Sequence, residues 1–245
     1  MKTLILAAIR CSLMFTAAAA FCIVQPAKAG IVTFTDGTFN PANYSEMVFT
    51  TSPSDTVSFT QCSTCGNPGQ ALQILMTLPA AGDFGAVGFI NNTFAYNPAT
   101  QGAIATIAAS VDKNLILNQP IFNNTFRPLI EQDGLFYLAA IPGPLTTGYH
   151  TISQAGLTAS TFTQFDFSTG TFGSGHPNFA GDLMLFGLAQ LSQSDTPNLQ
   201  VEADYDNLNL SINSVPETGS TILLLWPCLV LLVGLRMHPR YRTCS

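Results

Sequence analysis

Apolar and polar residues alternate with a period of two through most of this chain. Leu72, Ile74, Met76 and Leu78 are interleaved with Ala71, Gln73, Leu75 and Thr77, and Val57 and Phe59 with Ser58 and Thr60. That spacing puts one set of side chains on each face of an extended strand. The same pattern predicts strands over Ile31–Thr35, Met47–Thr50, Phe84–Ile90, Ala103–Val111, Phe126–Glu131, Leu135–Ala140, Tyr149–Ile152 and Leu183–Leu191. Between them lie Asp36-Gly37, Asn67-Pro68-Gly69, Asp133-Gly134 and Pro142-Gly143-Pro144, which is turn chemistry. Asp133-Gly134 joins two apolar strands and is the clearest hairpin signal. Helix is scarce, with one turn expected at Thr158–Phe162. Short strands at this spacing predict an all-β fold, an antiparallel β-sandwich.

The last strand changes phase. Leu199, Val201, Ala203 and Tyr205 are apolar at odd positions, whereas Leu208, Leu210 and Ile212 are apolar at even ones. An unbroken strand would expose one of the two sets. A bulge near Asp206-Asn207 is therefore expected.

Both ends depart from the pattern. Residues 1–29 read as a secretory signal: Lys2 and Arg10 are basic, Ser12 to Val24 is largely apolar, and Ala27-Lys28-Ala29 supplies small residues for cleavage between Ala29 and Gly30. This implies the Sec translocon and signal peptidase as partners. Residues 215–245 have three parts. A polar motif comes first: Val215, Pro216, Glu217, Thr218, Gly219, Ser220 and Thr221. An apolar helix is expected over Ile222–Leu235, and a basic tail over 236–245 carries Arg236, Arg240 and Arg242. As a helix the 14-residue run spans roughly 21 Å, against a bilayer core of about 30 Å. Pro227 also removes a backbone donor from its middle. A segment this short suits transient insertion better than permanent anchorage, with the arginines holding the tail on the cytoplasmic side.

The order of motif, apolar run and terminal arginines resembles the PEP-CTERM type of sorting signal, close to its VPDSG variant, with Thr218 where proline is commoner. The resemblance covers residues 215–245 alone. It implies an exosortase-like processing enzyme, a membrane-embedded cysteine transpeptidase-like protein of Gram-negative bacteria that make exopolysaccharide. It further implies a membrane-inserted precursor, transient inner-membrane contact, and a mature protein on the cell surface or in the extracellular matrix. One rival is an ordinary single-pass anchor, against which the short run counts. The other is a Gram-positive sortase signal of the Leu-Pro-x-Thr-Gly kind, against which Val215 and the lack of a wall-spanning stretch count. The closing Asp206-Asn207-Leu208-x-Leu210 and opening Phe34-x-Asp36-Gly37 also resemble the jelly-roll domains common in PEP-CTERM proteins.

These ends leave a single body, Gly30–Ser214, and its charge is lopsided. The whole chain carries −6. The body sets thirteen acidic residues against two basic ones, Lys113 and Arg127, a net charge of −11. Phosphate recognition needs clustered lysines and arginines, so nucleic acid is excluded as a partner. Anionic headgroups are excluded on the same ground. No cofactor is required by any motif. The carboxylate surplus does suit a structural calcium ion, with Asp36, Asp206 and Asn207 expected near one another if the first and last strands are neighbours.

Cys62 and Cys65 are the only cysteines of the body. In an exported chain this pair reads as a small-loop disulfide. Zinc would need two more ligands, and a redox pair would open a helix where turn sequence stands here. The histidines of the body are His150 and His176. Ser174 precedes His176 in a Gly-rich run without the strand-turn-helix context of a nucleophile elbow, and Asp166 and Asp182 bracket that run. The sequence thus points to a non-enzymatic surface or matrix protein associated with exopolysaccharide. A carbohydrate-binding module and a secreted hydrolase are the alternatives. The sole tryptophan, Trp226, lies in the apolar run, so a sugar platform in the body would fall to Tyr44, Tyr96, Tyr137, Tyr149 or Tyr205.

Overall fold

The computed structural model describes residues 30–120 and 123–215. Signal, sorting motif from Pro216 onward, apolar run and basic tail lie outside the described residues. Among those described, no helix is long and apolar enough to cross a membrane.

The strands are β1 (Ile31–Asp36), β2 (Tyr44–Thr50), β3 (Thr56–Gly66), β4 (Gly69–Leu78), β5 (Phe84–Tyr96), β6 (Ile104–Leu117), β7 (Thr125–Gln132), β8 (Leu135–Leu138), β9 (Ile141–Pro142), β10 (Tyr149–Leu157), β11 (Thr163–Asp166), β12 (Thr171–Phe172), β13 (Met184–Gln193) and β14 (Leu199–Ser214). One helical turn, α1 (Pro98–Gln101), and two 3-10 turns, Pro41–Asn43 and Ala159–Thr161, complete the set. Each predicted strand is present, and the turn at Thr158–Phe162 is the second of the 3-10 turns.

All pairings are antiparallel, in two sheets. The first runs β10-β6-β14-β4-β3, with β1 also on β14. The second runs β12-β11-β8-β7-β13-β5-β2, with β9 on β7. Their inner faces form the main core, where Ile74, Met76, Val111, Ala203 and Leu210 of the first sheet meet Val87, Phe89, Phe126, Phe186 and Leu188 of the second. This is a β-sandwich.

β14 organises the first sheet. From Leu199 to Tyr205 one of its edges pairs with β4, and from Leu208 to Asn213 the same edge pairs with β1. β6 lies along the other edge, and its register slips between Asp206 and Asn209. Asn207 has φ 51°, the left-handed backbone that lets the extra residue bulge out. The bulge therefore sits where the hydrophobic phase changes, and Tyr205 and Leu208 both turn inward, at 0% and 1% exposure. The predicted Asp133-Gly134 hairpin forms likewise, with φ 56° and 75° at its two central residues and Gln132 paired to Leu135.

The second sheet is not simply alternating. It curls, so that Phe165 of β11 and the following Phe167 cover its far side. Ala86, Ile90, Leu129, Leu138 and Ala189 are buried there as a second apolar cluster. Hence β5 is buried from Gly85 to Asn91 without a break, and its near-continuous apolar run has this two-sided burial as its reason.

Candidate functional site

Strand pleating segregates charge across the first sheet. On β6 Val111, Lys113 and Leu115 face the core while Asp112 and Asn114 face out. On β14 Ala203 and Tyr205 face in while Glu202, Asp204 and Asp206 face out. The acids thus gather on the outer face. Asp112 lies opposite Asp206 in the ladder, takes the Asn207 amide at 2.9 Å and accepts from the Thr151 hydroxyl at 2.5 Å. Asp206, 1% exposed, accepts the Asn67 and Asn207 backbone N–H groups at 2.6 and 2.7 Å. Asp204 accepts from Gln73 and Asn114 at 3.2 Å each, and burial pushes its carboxyl pKa up. Burial and then Asp204, Asp206 and Asp112 raise the Tyr149 phenol, which donates to the Cys65 carbonyl.

The calcium expectation falls at this corner. β1 does pair with β14, Asp36 opposite Leu208, and a side chain on Gly37 would meet the Asn207 Oδ1 at 3.2 Å. The two carboxylates nevertheless take different hydrogen-bond partners. Asp36 shares the inward phase of Phe34, accepts from Thr38 N, Thr38 Oγ1 and Phe39 N at 2.7, 3.0 and 2.8 Å, and takes the Tyr44 hydroxyl at 2.9 Å. Its oxygens are engaged in holding its own turn, while Asp206 and Asn207 stand on the outer face. Among the described residues no group of three or more His, Cys, Asp or Glu is arranged to hold a metal ion. Calcium bound by Asp36, Asp206 and Asn207 together stays a proposal, tested by melting the protein with calcium and with chelator. A midpoint raised by calcium in the wild type and not in Asp206→Ala would support it. An unchanged midpoint removes it.

Cys62 and Cys65 lie within bonding distance, Cα atoms 5.5 Å apart. They close an irregular loop where the β3–β4 register slips between Cys62 and Gly66. Among the described residues no hydrogen bond joins the hydrolase candidates to one another. His150 shares a hydrogen bond with Thr146 Oγ1 at 2.8 Å and His176 with the Phe162 carbonyl at 2.6 Å. Asp166 caps its own turn through Ser168 and Thr169, while Asp182 is exposed and offers its backbone carbonyl to Gln132. Of the tyrosines, Tyr96, Tyr137 and Tyr205 are buried, and Tyr44 and Tyr149 are half-buried.

The residues that do converge are the two that composition alone left unplaced. Lys113 and Arg127 line one cleft at an end of the sandwich, about 290 Å³ in volume. Leu115, Leu117, Leu199 and Val201 give it an apolar strip, and Gln190, Thr125, Asn123 and Ser192 give it amides and hydroxyls. Lys113 is 1% exposed. Its Nζ donates to the Thr125 carbonyl at 2.9 Å and to Gln190 Oε1 at 3.0 Å, and sits 5.1 Å from the Tyr205 ring centre. The Tyr205 hydroxyl donates to the same Gln190 oxygen. Among the described residues no carboxylate bonds either cation, although Asp195 also lines the cleft. Burial, and next the charge of Arg127, lower the Lys113 pKa to about 7. Burial lowers Arg127 too, and the Tyr205 phenol raises it.

No family model matches the chain, and no curated protein matches it. Among solved structures it aligns with the N-terminal modules of endo-1,4-beta-D-xylanase 10B from Clostridium thermocellum, complexed with xylohexaose, at TM-score 0.35 and 8% identity over 78% of this chain and 29% of that one. It aligns with an exo-beta-agarase at TM-score 0.39 and 11% identity, over 74% and 25%. A third alignment is to winged bean acidic lectin complexed with methyl-alpha-D-galactose, at TM-score 0.32 and 8% identity, over 75% and 99%. The chain spans less than a third of the first two. Likenesses this loose carry no argument about what the chain binds or does.

Proposed function

We propose that this is an exported, non-enzymatic surface or matrix protein: a jelly-roll-like sandwich delivered by its leader and processed at its C-terminus by an exosortase-like enzyme, in contact with exopolysaccharide. The observation that carries the reading is the three-part tail, in which motif, apolar run and arginines follow in fixed order from Val215 to the last residues. The body is compatible with such handling. β14 ends at Ser214, directly before the motif. Gly30, the residue after the expected leader, is fastened there: its N–H donates to Ser214 Oγ at 3.1 Å, and its carbonyl accepts the Ser214 N–H at 3.0 Å. Cleavage at either signal would cut beside this clasp and leave the sandwich strands whole.

Intact-mass spectrometry of the surface-located protein tests the reading. The mature chain is expected to begin at Gly30 and to lack Arg236–Ser245. A complete C-terminus on surface protein would replace the sorting signal with a plain anchor.

A further inference from the structure

Two positive charges share one cleft in a body that otherwise bears only acids, and neither has a carboxylate partner among the described residues. Pleating explains why. Asp112, Asp204 and Asp206 occupy the outer face of the sheet whose inner face carries Lys113, so the sandwich cannot neutralise its own buried cation. Burying an ammonium unpaired works against stability. Of the three N–H bonds of Nζ, two are taken by neutral oxygens, and the third has no acceptor among the described residues, which leaves it for one entering the cleft. The nearest acid of the lining is Asp195, exposed at the mouth.

We infer that this cleft binds the carboxylate of an acidic sugar residue, with Arg127 and Lys113 as its cationic partners. The lining selects the class. Inorganic phosphate would use the two cations and leave the rest idle. A sugar acid uses the cations through its carboxylate, the Gln190, Thr125 and Ser192 groups through its hydroxyls, and the leucine strip through its C–H face. The volume, about 290 Å³, is that of a small-molecule site at its lower bound, which fits one ring. The net negative charge of the body opposes an anion only at range, since at physiological salt fields fade over about 8 Å. This inference goes beyond the reading of the tail and stands if that reading fails, because binding is measured on purified protein whether or not it has been processed.

Titration calorimetry of the full chain with sodium glucuronate, glucose and sodium phosphate tests it. Glucuronate is expected to bind at least about tenfold more tightly than glucose, the worth of one charge-assisted hydrogen bond. Arg127→Gln is expected to lose about tenfold or more while still melting cooperatively and no earlier than wild type, since this half-buried side chain is not part of the core and its charge adds to the penalty on Lys113. Binding is also expected to weaken from pH 6 to pH 8 as Lys113 discharges. Arg127 and Tyr205 are the charged or titratable groups that face it, and Asp195 is the one carboxylate of the lining. Absence of glucuronate binding, or binding undiminished in Arg127→Gln, overturns the site. Phosphate binding as tightly as glucuronate makes the cleft a bare anion hole and overturns the sugar assignment. Glucose binding as tightly overturns the role of the charges.

Discussion

Gly187→Ala is expected to lose most of the protein's stability, by about 3 kcal/mol or more, and to fall in the range where expression itself fails. Gly187 lies mid-strand in β13, between Ile90 of β5 and Leu129 of β7. A Cβ placed there would stand 1.8 Å from the Phe89 carbonyl oxygen and 3.0 Å from the Ile90 Cα. Both are backbone atoms of the partner strand, so no rotamer change relieves the clash. β5 and β13 would have to separate beside the register slip between Leu185 and Phe186, where Phe186 and Leu188 fill the core. Gly134→Ala is the control: its φ is 75° but nothing lies within 4 Å of the added carbon, so it bears only a left-handed backbone cost of roughly 1–2 kcal/mol. Thermal melts of the two variants check this. Equal midpoints would mean that the register around Gly187 is other than described.

Period-two alternation carried most of the fold because it reports directly on a half-buried strand, and the phase change in β14 carried the bulge. It failed where a strand is buried on both faces or too short to show a period. The pattern ends β5 at Ile90, because Asn91-Asn92-Thr93 breaks the apolar run, whereas the strand continues to Tyr96; Asn91 is 1% exposed and accepts from Thr93 at 2.9 Å. β9, β11 and β12 have two to four residues each and gave no signal. The cleft was hidden for a related reason. Asp112-Lys113-Asn114 reads as a polar break, so the predicted strand ended at Val111, whereas β6 runs on to Leu117. The signal was present, since Lys113 stands in phase with Val111 and Leu115. A lysine on the apolar phase of a strand is the mark of a buried cation, but that phase has meaning only once the strand is known to continue. What brings Arg127 to the same cleft is sheet order, which no local pattern encodes.

Lys113→Met is expected to stabilise the protein at pH 6 by roughly 2 kcal/mol, and to lose that advantage as pH rises toward 10. The folded pKa is about 7 and the ordinary value 10.5. Between those limits the unfolded chain binds a proton that the folded chain lacks, so wild-type stability rises with pH across that window. Below pH 7 the folded protein bears the full penalty of the buried charge, at most about 5 kcal/mol for a lowering of this size. Methionine removes the penalty and fills a similar length of cleft. It gives up the bonds to the Thr125 carbonyl and Gln190 and the contact with the Tyr205 ring, worth together about 2–3 kcal/mol. Gln190 Oε1 keeps the Tyr205 hydroxyl, so it is not orphaned. At pH 10 the wild-type amine is neutral and holds those bonds without charge, so the balance shifts back toward lysine. Melting wild type and variant side by side at both pH values checks the sign, because other titrating groups are common to the two proteins and cancel in the difference. A wild type more stable than Lys113→Met at pH 6 would mean that the cation is neutralised from within the fold. If the variant is the more stable, a chain that keeps lysine there does so against its own stability, as expected of a residue held for binding rather than packing.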